Sequence, residues 1–246
     1  MPPPPPPLDV PAPVLRVARH AVAAGLTPLI PVPFVDDYAL RRVREDMVRS
    51  LLEERALPTP RATVQLLAGL HPRQGSRLQQ FAGKAAFLSV RLLWRKGYRR
   101  AVTVLWLKDC VDMASLCLHH GYLLQYALER GDLPAASLAT PDAARRVQAA
   151  IHAACAELDA RPINQALRRL FAGSRLVRDA LADALARFQG GSPAPRPAAA
   201  GADAGADNPL VERLAAVLWE ERGYFHTLEL LYAKHLGPPG GAVRPP

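Results

Sequence analysis

Lys108, Asp109 and Asp112 combine two carboxylates and an ammonium in the middle of the most apolar stretch of this chain, and by type they are its best candidates for chemistry. On a helix Lys108 and Asp112 are four apart and can pair, which leaves Asp109 on a different face. Carboxylates among apolar neighbours are the groups whose proton affinities functional sites perturb. With His119 or His120 in reach they would form a buried polar site in an enzyme of unstated class. The structural alternative is an ionic face that meets solvent or an arginine from a neighbouring helix.

The nearby Cys110, Cys117, His119 and His120 invite a metal. Cys110 and Cys117 are seven apart and share a face with Met113 and approximately His120, but such sites take paired ligands at one-turn spacing, and no second pair follows. Core cysteines behave as small hydrophobes, and that is the expectation here. His20, His71, His152, His226 and His235 are scattered, with no nucleophile at a recognisable spacing. Neither GxxxxGK[ST] nor a GxGxxG after a strand occurs. The sequence therefore assigns no catalytic residue, metal or cofactor.

A second chemistry is electrostatic. Between Leu57 and Leu107 lie Arg61, Arg73, Arg77, Lys84, Arg91, Arg95, Lys96, Arg99 and Arg100, with no Asp or Glu. Lys84, Arg91 and Arg95 fall on one helical face, and Trp94 and Tyr98 lie near its charged edge. Amphipathic rings there favour a lipid headgroup layer, and long basic side chains can snorkel. An anionic membrane surface or a protein partner fits Arg91, Arg95, Lys96, Arg99 and Arg100 with Trp94 and Tyr98 as anchors. Nucleic acid is the weaker fit, because no binding motif accompanies the charge. The alternative is internal pairing with Glu53, Glu54, Asp109 or later carboxylates.

Those residues need elements to hold them. With 246 residues, half of them hydrophobic and only 6% aromatic, the chain can bury one good core, and its Leu, Ala and Arg favour helix. The fold expected is all-α, a bundle of about seven to eight helices. A formal charge of +9 and a pI near 10 make anionic partners plausible. Three cysteines, an odd number inside helical segments, suit a reducing, cytoplasmic compartment. Met1 and the six prolines after it have no charged n-region or apolar h-region, so no secretory signal is expected there. Ala101 to Leu128 is the most apolar window, but Lys108, Asp109 and Asp112 interrupt it, which argues against a membrane span.

The order expected along the chain is a disordered proline-rich tail over 1–13, a helical bundle over 14–189, a flexible linker over 190–207, a C-terminal amphipathic segment over 208–236 and a second disordered tail over 237–246. Within the bundle, a helix from Val14 ends at Gly25, and the prolines of Thr27–Val35 favour an extended connector. Asp36 and Asp37 cap a helix from about Asp37 to Ala56 with the stripe Leu40, Val43, Met47 and Leu51. Thr59 and Pro60 start a short helix to about Leu70, and Ser76 starts one that runs to about Lys96. A long helix from about Arg99 to Glu129, apolar nearly all round, is the expected centre of the core. Helices from Pro141, Pro162 and Ser174 complete the bundle. The segment 208–236, with a possible break at Gly223, must dock on its own bundle or on a partner, since a lone amphipathic helix is marginal in water.

Residues 21–69 carry an Ala-rich helix, the turn PLIPVPFVDD and a helix-loop-helix. Through Pro31, Pro33, Phe34, Asp36, Leu40 and Met47 they resemble an uncharacterised bacterial helical domain found beside or fused to small GTPases and associated with membranes. The resemblance implies no catalytic residue. It favours a non-catalytic helical adaptor that docks a GTPase or other regulatory protein, peripherally, at an anionic membrane surface.

Overall fold

The computed structural model describes residues 12–30, 35–69, 99–138, 141–175, 177, 179 and 209–237. Every regular element among them is helical: α1 (Ala12–Leu26), α2 (Val35–Glu54), α3 (Arg61–Leu67), α4 (Arg99–Arg130), α5 (Pro141–Glu157), α6 (Arg161–Gly173), α7 (Pro209–Glu220) and α8 (Arg222–Leu236), with two short 3-10 turns. The fold is an all-α bundle. None of these helices is long and apolar enough to cross a membrane.

The 32-residue α4, about 48 Å long at 1.5 Å per residue, is the central element and packs against α1, α2, α5, α6 and α8. Its nearest neighbour is α1, whose inward residues Ala18, Ala21, Val22 and Ala24 are small and buried. Two glycines set the close approach. A Cβ on Gly25 would lie 2.6 Å from the Phe171 ring, and one on Gly121 would lie 2.7 Å from the Met47 sulfur and 3.0 Å from Val17. α1 ends at Leu26, one residue past Gly25 and so within a residue of the expected end.

Other boundaries differ. Ala12 and Pro13, expected in the tail, open α1, and a proline in a first turn loses no helical hydrogen bond. Thr27–Leu29 is a 3-10 turn where an extended connector was expected. Pro28 fits its first positions, and the Thr27 hydroxyl donates to Ala24 O at 2.8 Å. The Thr59 hydroxyl donates back to Leu57 O at 3.0 Å, so Pro60, and not Thr59, occupies the cap of α3. The C-terminal segment is two helices broken at Glu221, two residues before Gly223. It lies on its own bundle, with α7 against α1 and α6, and α8 against α5 and α4.

The local signals at Pro141, Pro162 and Gly173 do coincide with the ends of α5 and α6. The expected helix from Ser76 to Lys96, most of the helix from Ser174, the 190–207 linker and the tails over 1–11 and 238–246 lie outside the described residues.

Candidate functional site

The long helix α4 brings every candidate residue of the apolar stretch onto one rod, and its faces then separate them. Lys108 Nζ binds Asp112 Oδ2 at 2.6 Å, the pair expected from their spacing. Lys108 and Asp109 are exposed and Asp112 is half-buried, so the buried polar site expected around them is not formed. Val104, Leu105 and Leu116, which flank them on α4, are exposed as well. Partial burial raises the Asp109 carboxyl above its usual range, while the hydrogen bond to Asp112 raises the Lys108 ammonium.

His119 and His120 lie two to three turns further along, on the packed part of the helix. His119 is buried. Its Nδ1–H donates to Ser115 O at 2.7 Å, which leaves Nε2 to accept the Tyr224 hydroxyl at 2.7 Å. His120 points to a different neighbour, its Nε2–H donating to Leu67 O at 2.6 Å at the end of α3. Burial pushes both imidazoles down to about 4, so each is a neutral strut between helices. Neither is brought to Asp109 or Asp112.

The cysteines are packed as expected of small hydrophobes. Cys110 and Cys117 are buried, Cys117 Sγ lies 3.6 Å from Met47 Sδ, and burial pushes both thiols up to about 12. Among the described residues no group of three or more His, Cys, Asp or Glu is arranged to hold a metal ion.

Tyrosines continue the seam between α4 and α8. Tyr122 donates to Glu229 at 2.6 Å, and its ring packs on Phe225 with centroids 4.5 Å apart. Tyr232 donates to Asp132 at 3.1 Å, and Asp132 is also held by Arg130 at 3.2 Å. Arg130 in turn donates to the Gly237 carbonyl at the end of α8. Burial raises the phenols of Tyr122, Tyr224 and Tyr232 above their usual range, so they act as hydroxyl donors. These partners are about a hundred residues apart in sequence, and nothing local announces them.

Of the basic stretch, Arg91, Trp94, Arg95, Lys96 and Tyr98 lie outside the described residues. Arg99 and Arg100 open α4, and their side chains also lie outside the description. A pocket of about 280 Å³ lies between the end of α2 and the start of α3, with Leu52, Leu57 and Val64 as apolar lining and Arg49, Glu53 and Arg61 among its polar groups.

A different cationic surface is in view on α6. This helix buries Ile163, Leu167 and Phe171 and turns Arg161, Gln165, Arg168, Arg169 and Ala172 outward. Arg175 follows, also exposed. The sequence carries a signal for it, because residues 160–178 contain five arginines and no acid, but the longer basic run upstream overshadows it. Arg161 pairs with Asp159 at 3.5 Å; Arg168, Arg169 and Arg175 pair with no carboxylate among the described residues.

Compared with family models, with curated proteins and with solved structures, the chain finds no match.

Proposed function

We propose that this chain is a non-catalytic helical adaptor that holds a protein partner, a GTPase or other regulatory protein, at an anionic membrane surface on the cytoplasmic side. What supports this above all is how the ionisable residues of α4 are used. His119 and His120 are neutral struts to α8 and α3, while Lys108 and Asp112 neutralise each other in solvent. A general acid–base site needs its groups to converge on one reacting atom, and these point to three different neighbours. The exterior offers arginines instead, in a chain with a surplus of nine positive charges. The resemblance of residues 21–69 to a membrane-associated domain favours the same partner.

The test is flotation of the full chain with vesicles of phosphatidylcholine alone and of phosphatidylcholine with phosphatidylserine. At low salt the protein should float with the anionic vesicles and release as salt rises, since the Debye length falls from about 10 Å at 0.1 M to about 3 Å at 1 M. Equal partitioning onto both vesicle types would remove the membrane from this function.

A further inference from the structure

We infer that the outer face of α6, continued by the exposed Arg175 just beyond its extended cap at Ser174, is the surface by which this protein lies on an anionic bilayer, through Arg168, Arg169 and Arg175. The inference rests on the membrane reading for its partner and goes beyond it in placing the contact on a part of the chain far from the basic stretch over 57–107.

Three features of α6 favour a flat, phosphate-bearing surface. First, the helix divides cleanly. Its apolar side, Ile163, Leu167 and Phe171, is fixed in the core with 1% or less exposed, so the backbone that carries the outward side is held in place and only the arginine side chains are ordered on binding. Secondly, Arg161, Gln165, Arg168, Arg169 and Ala172 lie within about 100° of the helix circumference, along about 17 Å of axis. Between the arginines stand Gln165, Ala172 and Gly173, all exposed, and none is bulky enough to hold guanidinium groups away from a plane. Thirdly, the charges are available. Asp159 takes Arg161, while Arg168, Arg169 and Arg175 have no ion pair among the described residues.

The same face fits nucleic acid less well. Single strands are held by bases stacking on aromatic rings, and the exposed residues of α6 are Arg161, Pro162, Gln165, Arg168, Arg169, Ala172 and Gly173, with no aromatic ring among them. Because the apolar side of α6 is already buried, the helix does not insert. Binding is electrostatic, with each arginine worth about 1 kcal/mol beside anionic lipid.

The deciding experiment compares three full-length proteins by flotation on phosphatidylcholine/phosphatidylserine vesicles and by retention on a heparin column: wild type, Arg168→Gln/Arg169→Gln/Arg175→Gln, and Arg19→Gln/Arg41→Gln/Arg146→Gln. The second triple removes the same charge from exposed positions on α1, α2 and α5, all outside the basic stretch. Circular dichroism melts confirm that all three are folded; every altered side chain is exposed, so their midpoints should agree. The α6 triple should lose about a hundredfold in vesicle partitioning, three arginines at about 1 kcal/mol each, and the control triple much less. Equal losses in both triples would make overall charge the cause and overturn the inference. An α6 triple that floats like wild type would overturn it while leaving membrane attachment in place. A wild type that fails to float on anionic vesicles would remove both, and strong heparin retention in that case would point to nucleic acid.

Discussion

Acid should unfold this protein in a narrow window set by His119 and His120. Both imidazoles lie at about 4 in the fold, against about 6.5 in an unfolded chain. Between those values the unfolded chain binds more protons than the native one, so stability is complete above pH 6.5 and falls as pH drops toward 4. The slope is about 1.4 kcal/mol per pH unit for each histidine. For His119, 4% exposed, the loss by pH 4 is about 3 kcal/mol. His120, less completely enclosed as a residue, contributes up to about as much. His20, lowered by burial with its Nδ1–H on Arg16 O at 2.9 Å, adds in the same direction. A combined loss of about 6 kcal/mol matches the whole net stability of many domains. The assay is urea denaturation at several pH values from 7.5 to 4.5, for wild type and His119→Gln/His120→Gln. Glutamine at 119 can still accept the Tyr224 hydroxyl, and at 120 its amide can donate to Leu67 O. The double variant should be less stable at pH 7.5 and lose less on acidification than wild type, keeping the contribution of His20. Parallel slopes in the two proteins, or imidazole signals that titrate near 6.5 in the folded state, would refute the reasoning.

Backbone and packing give further tests. Ala56 ends α2 with φ of 50°, and Leu57 N–H bonds Leu52 O at 3.0 Å, a cap that favours glycine. Ala56→Gly should therefore stabilise by up to about 1 kcal/mol in chemical denaturation. Gly131 plays the same part after α4 with φ of 80° and no atom within 4 Å of a built Cβ, so Gly131→Ala should cost about 1 kcal/mol from strain alone. Gly25→Ala should cost more, about 1 to 3 kcal/mol, because the new methyl meets Phe171 and Ala114. Cys110 and Cys117, enclosed and raised to about 12, should resist alkylation at pH 8 until denaturant is added. Cys155, partly exposed and raised to about 11, should react first.

What could be read from the sequence was what local chemistry decides. Pro141, Pro162 and Gly173 mark helix ends because a proline's missing N–H and a glycine's freedom act within one turn. Reading failed where two local outcomes were both allowed. Prolines forbid a helix interior, but Pro28 is at home in the first turn of a 3-10 segment. Gly25 marks the end of α1 to within one residue, but that it also permits a close contact depends on the position of Phe171, which no local signal gives. The candidate site failed for a related reason: the spacing of Lys108 and Asp112 predicts their pairing, but whether the pair faces core or solvent depends on which helices cover that end of α4.

The same dependence explains the histidines. His119 and His120 are adjacent, so on any helix they point about 100° apart; on a central rod they reach two different neighbours, α8 and α3. Adjacent histidines on a central helix therefore tie the bundle together in two directions, whereas a catalytic pair would have to share a direction. Their neutral state follows from that position, since a buried imidazolium facing a carbonyl and a hydroxyl has no carboxylate to offset its desolvation.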